Sequence, residues 1–200
     1  MITIINTNAS NIKSLVNALS FIEKSFKLSN EFKDLEKATH IIMPGVGSYF
    51  NLIEDLKKNF DLEDLKFLIE KNEIFFLGIC VGMQILSSLG YEPEEIKGLD
   101  LIEGSVKRID TNLNLPHVGW NSVFFNRTNK LLNNIPSGTD FYFTHSYEFN
   151  LMNDQNNLGE TYYDKKIVSM VNNKNIYGVQ FHPEKSQNAG LKLLKNFSEL

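Results

Sequence analysis

The sequence contains a single cysteine, Cys80, so no intramolecular disulfide is available to brace the fold. It has only two arginines, Arg108 and Arg127, which leaves little material for bidentate recognition of phosphate. With a net charge of -4 and no basic stripe, nucleic acid is not expected as a partner. The longest apolar run, Ile74 to Leu86, is too short to span a bilayer and is interrupted by glycine and glutamine, so no membrane partner is expected. There is no His-x-x-x-His pair and no second cysteine to make a Cys-x-x-Cys pair, so neither a metal nor a bound cofactor is expected. The opening Met1-Ile2-Thr3-Ile4-Ile5 lacks the basic start of a signal peptide. A cytoplasmic, reducing compartment follows as the expectation, and it leaves Cys80 free for chemistry.

What is present reads as one α/β domain over residues 1–200. Thr3–Ile5 has the form of a strand, followed by a helix from about Asn11 with Ile12, Leu15, Val16 and Leu19 on one face. His40–Met43 is a second strand, ended by Pro44-Gly45-Val46-Gly47, and helical stretches follow at Tyr49–Lys58 and Leu62–Lys71. Ile74-Phe75-Phe76-Leu77 is continuously apolar, the pattern of a central parallel strand buried on both faces. Strands alternating with helices predict a three-layer domain with a mostly parallel, doubly wound sheet. From Leu99 the runs become short and β-like: Ser105–Arg108, Phe141–Thr144, Ile167–Val171 and Ile176–Phe181. A final amphipathic helix over about Asn188–Leu200 places Leu191, Leu194 and Phe197 inward.

Gly78-Ile79-Cys80-Val81-Gly82 lies between the apolar strand and Met83-Gln84-Ile85-Leu86, the form of a nucleophile elbow. Its glycines permit a sharp strand-to-helix turn, and a helix N-terminus favours the thiolate. The N–H of Val81 would face a developing oxyanion. The plain alternative is a buried structural cysteine. Late in the chain, Gly178-Val-Gln-Phe-His182-Pro-Glu184 provides a matching pair. On an extended backbone, residues two apart face one side, so Glu184 would orient the His182 imidazole, and His182 would carry the Cys80 proton to the leaving amine. A plain strand-exit turn and a metal site are the competing readings of that segment.

Together the two segments resemble the class I, triad-type glutamine amidotransferases, whose flavodoxin-like fold the resemblance also implies. Pro44-Gly-Val-Gly-Ser48, Pro116-His-Val-Gly-Trp-Asn121 and Tyr142-Phe-Thr-His-Ser-Tyr147 narrow the likeness. With Glu184-Lys-Ser186 they are similar to the glutaminase subunits of imidazole glycerol phosphate synthase, from first strand to last helix. The resemblance implies hydrolysis of L-glutamine to glutamate and ammonia by Cys80, His182 and Glu184. The ammonia would pass to a (β/α)8-barrel cyclase subunit, a heterodimeric partner, for histidine biosynthesis. It further implies that Gln84, Gly45 and the His145-Ser146-Tyr147 segment hold glutamine. Val46 or Gly47 would supply a second oxyanion amide after a partner-dependent reorientation. His117, Trp120, Asn121 and Tyr142 would lie towards the cyclase. The first βα turn departs from the family's common Asp-Tyr-Gly-x-Gly-Asn, reading Asn6-Thr7-Asn8-Ala9-Ser10-Asn11. Two rivals carry the same catalytic residues: a paralogous glutaminase whose synthase amidates a surface sugar, and a stand-alone cysteine hydrolase active without a partner.

Overall fold

Buried strands form the centre because their residues are apolar on both faces. All four residues of β1 (Ile2–Ile5) are buried. The computed structural model describes residues 1–7, 12–71 and 74–200, so Asn11 and most of the departing first turn lie outside the described residues. The first half continues with α1 (Ile12–Phe21), β2 (Phe26–Ser29), α2 (Phe32–Leu35), β3 (His40–Gly45), α3 (Tyr49–Lys57), α4 (Leu62–Lys71), β4 (Phe75–Cys80) and α5 (Val81–Gln84). Next come β5 (Leu89–Tyr91), β6 (Glu95–Lys97), β7 (Gly104–Arg108), β8 (His117–Phe125) and β9 (Thr139–His145). The chain ends with β10 (Tyr147–Leu151), β11 (Asn157–Tyr163), β12 (Lys165–Asn173), β13 (Ile176–Val179) and α6 (Gln187–Ser198).

One sheet runs β2-β1-β3-β4-β13-β12-β11-β8-β9. From β2 to β13 every pairing is parallel, in the flavodoxin-like order, and from β13 to β9 every pairing is antiparallel. The expected α/β architecture is present, and part of the β-rich second half, β8, β9, β11 and β12, is the antiparallel extension of the same sheet. In doubly wound sheets, ligands bind outside the carboxyl ends of the strands. Here the ends of β3, β4 and β13 deliver Gly45, Cys80 and the segment leading to His182. A second sheet, β10-β7-β5-β6, sets Arg108 opposite Tyr147.

Several element boundaries differ from the pattern read in the sequence. β3 runs through Pro44 to Gly45 rather than stopping at Met43; its pairing with β1 ends at Ile42, so the proline sits where β3 is an edge on that side. β4 extends to Cys80, which puts Gly78 and the cysteine inside the strand. β13 stops at Val179 rather than Phe181, because its partner β4 turns away just past Ile79. In α6 the buried stripe is Leu193, Leu194 and Phe197, with Leu191 half-buried beside the core. The core forms one cluster from β1 through α6, in which Phe141 and Phe181 stack with ring centroids 4.0 Å apart. Each such buried side chain contributes roughly 1.5–3 kcal/mol.

Candidate active site

Cys80 closes β4 with φ 56 and ψ -113, a left-handed conformation for a residue with a side chain. Such a backbone costs about 1–3 kcal/mol and persists only where its surroundings dictate it. The neighbouring glycines do so by close approach. A Cβ on Gly78 would strike the Gly82 carbonyl, and one on Gly82 would strike the Met43 carbonyl. The expected helix after the elbow is a single turn, the four residues of α5, so its dipole is short. What favours an anion there is that the N–H groups of a first turn have no partner within the helix. The Cys80 sulfur is nearly buried and lies 3.7 Å from Gln180 Nε2 and 4.0 Å from the Thr144 carbonyl oxygen.

His182 Nδ1 meets Glu184 Oε1 at 2.8 Å, with both side chains buried. The pairing arises differently from the extended-strand expectation. Pro183 starts a 3-10 turn, Pro183–Lys185, and that turn folds Glu184 back onto the ring. Ser186 locks the turn by donating to the His182 carbonyl at 2.6 Å and accepting from Tyr142 N at 3.0 Å. Burial alone would lower the imidazole pKa. The Cys80 thiol and the Glu184 carboxylate beside it overcome that and push it up to about 10. The arrangement therefore favours a protonated imidazole beside the sulfur.

Cys80 and His182 open onto a cavity of about 570 Å³, the size range of small-molecule sites. Val46, Gly47, Gln84, His145, Ser146 and Tyr147 also line it. Among the described residues, no cluster of His, Cys, Asp or Glu is positioned to hold a metal ion.

Residues 3–199 match the glutamine amidotransferase class-I family. Two relatives are named imidazole glycerol phosphate synthase subunit HisH. The chain is 37% identical to that of Moorella thermoacetica over 199 residues, covering 100% of this chain and 94% of the relative. It is 39% identical to that of Methanocaldococcus jannaschii over 200 residues, covering 100% of each. The chain belongs to the class I glutamine amidotransferases, in the HisH family. A crystal structure of a glutamine amidotransferase shares the fold with a TM-score of 0.77 at 15% identity, over 99% of this chain and 97% of that one.

The amidotransferase cavity contains charges that no motif announced. Glu92 and Arg108 both line it, beside Lys185 of the Glu184-Lys-Ser186 segment read from the sequence. Burial raises the Glu92 pKa, although its Oε2 accepts from Tyr49 N at 2.9 Å. Glu92 arrives from the turn between β5 and β6, outside every segment that carries the family likeness. Arg108 had one signal, its rarity. Gln180 stands inside the Gly-Val-Gln-Phe-His-Pro-Glu run but was assigned no role from sequence.

Other anticipated residues are placed less simply. Gly45 does not line the cavity; a Cβ there would lie 2.6 Å from Leu52 Cδ2 and 2.8 Å from Gly82 N, so the glycine serves packing of the elbow. His117, anticipated on a partner-facing surface, is buried, stacked on Phe143 and Tyr163. It belongs to the inward-facing residues of β8, whereas Val118 and Trp120 are exposed. Trp120 and Tyr142 meet edge to face at 6.1 Å, and Lys185 Nζ lies 5.7 Å from the Tyr142 ring. Asn121 is half-buried and hydrogen-bonds inward, to His117 and the Tyr162 carbonyl.

Burial pushes both His117 and His145 down to about 4 from the ordinary 6.5. Between those values the unfolded chain binds protons that the folded chain refuses, so stability falls as pH falls through that window. For His145, a shift of this size corresponds to about 3 kcal/mol. Thermal melts from about pH 7 down to about pH 4.5 should show the loss, and His145→Gln should remove much of it. Equal acid sensitivity of the two proteins would contradict this account.

Proposed function

We propose that the whole chain is one glutaminase domain that hydrolyses L-glutamine to glutamate and ammonia. The observation that carries this is an elbow cysteine and a buried His182–Glu184 pair lining one cavity. The cavity walls offer a carboxylate and a guanidinium, which suit the α-ammonium and α-carboxylate of an amino acid. Glu92 receives the ammonium, and Arg108 receives the carboxylate beside the His145-Ser146-Tyr147 backbone. Gln84 bounds the same pocket.

The Cys80 thiolate attacks the δ-amide carbonyl carbon. The oxyanion is taken up by the Val81 N–H and by an amide of the Val46–Gly47 loop. His182 gives its proton to the amine, which leaves as ammonia as the C–N bond breaks. Glu184 stabilises the imidazolium until that transfer. Water, deprotonated by His182, then attacks the thioester; glutamate departs and the thiolate is restored.

The acceptor reading rests on full-length likeness to relatives named imidazole glycerol phosphate synthase subunit HisH. On that basis the chain delivers ammonia to a (β/α)8-barrel cyclase subunit in histidine biosynthesis, in the cytoplasm. The exposed Val118, Trp120 and half-buried Tyr142, with Lys185, form the face that meets it. Expression in a histidine auxotroph lacking its glutaminase subunit, together with the cognate cyclase, should restore growth on minimal medium. Failure to rescue despite good expression of both subunits would favour the paralogous sugar-amidating reading.

A further inference from the structure

The Tyr147 carbonyl oxygen can only accept hydrogen bonds, and two side chains reach it. His145 Nδ1 lies at 2.8 Å and Gln84 Nε2 at 3.3 Å. Gln84 therefore presents its amino group there, since its own oxygen would set two acceptors against each other. The same Nε2 lies 2.9 Å from the Gln180 side chain, which must answer with its oxygen. The Gln180 amino group is then left facing Cys80 Sγ, at 3.7 Å. The other branch is fixed by the same carbonyl. A neutral His145 protonated on Nδ1 has a bare Nε2, which accepts from His117 Nδ1 at 3.0 Å. His117 Nε2 in turn accepts from Asn121 Nδ2 at 3.2 Å, and the second amino proton of Asn121 goes to the Tyr162 carbonyl at 2.9 Å. Every proton in the chain has one direction.

We propose that Gln180 is a positioning residue for the nucleophile, its side-chain N–H held towards the Cys80 sulfur by Gln84 and the Tyr147 carbonyl. The inference rests on Cys80 being the nucleophile. Gln180 is fully buried and is not among the residues lining the cavity, so it acts through the sulfur rather than on glutamine. An N–H donor stabilises a thiolate more than a thiol, and it counters burial, which favours the neutral form. Titratable and charged groups also face the sulfur or its cavity: His182 with Glu184 behind it, the neutral His145, Glu92, Arg108 and Lys185. All of them remain in place when Gln180 alone is changed.

The test is iodoacetamide alkylation of Cys80 as a function of pH, on the full chain. In Gln180→Met, the rate at neutral pH should fall about tenfold and the profile midpoint should rise by about one unit. kcat for glutamine should fall while KM holds, a split that mere loosening of the fold would not produce. Gln180→Glu keeps the shape but turns an acceptor towards the sulfur, so its shift should be larger; it also decides the matter if the methionine variant does not fold. An unchanged alkylation profile in the folded variant overturns the role of Gln180 and leaves the nucleophile assignment standing. Undiminished ammonia release by Cys80→Ala would instead remove the reading on which the inference rests.

Discussion

Cys80→Ala is expected to cut ammonia release from glutamine by at least about 10^4-fold while leaving the thermal midpoint nearly unmoved. The large kinetic effect follows because Cys80 is the thiol that shares the cavity with His182, and the chain has no second cysteine to replace it. The small stability effect follows from position. The sulfur faces a cavity, so its loss opens no sealed void, and alanine keeps the same Cβ at the same strained φ of 56. Coupled glutamate and ammonia assays, with melting curves on the same samples, separate the two effects. Ammonia release that survives in a folded variant would sink the mechanism.

Adding the cyclase subunit and its nucleotide ligand is expected to raise glutaminase turnover by about 10^2–10^3-fold, the worth of one well-aimed oxyanion donor. The segment concerned is the short link between β3 and α3. Val46 and Gly47 line the cavity, Gly47 has φ +92, and among the described residues a Cβ at Gly47 would meet nothing within 4 Å. That space lets the peptide turn without displacing packed atoms. Gly47→Ala strains the left-handed backbone and should blunt the gain. Full turnover by the isolated chain would favour a stand-alone hydrolase.

Much of this site was legible in the sequence because its chemistry is local. An apolar strand running into Gly-x-Cys-x-Gly specifies an elbow through contacts within a few residues. His182 and Glu184 are close enough in sequence that either an extended segment or a 3-10 turn brings them together. The choice between those two was not legible, since it depends on where β4 releases β13. Glu92 and Arg108 reach the cavity through the second sheet: Glu92 sits at the tip of the local β5–β6 hairpin, and Arg108 ends β7, which pairs with the distant β10. That His117 faces inward was hidden for a related reason. The motif that includes it alternates between the two faces of a strand, and one sequence does not show which face is covered. Gln180 was visible as a letter in a motif, but its direction depends on a carbonyl contributed by β10.

The sheet order has a consequence for how the molecule is made. The strand that sits between β4 and β12 is the last in sequence. Until the ribosome has delivered it, β4 has an open edge, and an open apolar edge invites pairing with another nascent chain. A product arrested before residue 176 would therefore lack the middle of its sheet along with His182 and Glu184. Such a fragment would be inactive and marked for aggregation or proteolysis, rather than a partial enzyme releasing ammonia without an acceptor. Insertion of β13 and assembly of the hydrolytic machinery are thus the same event.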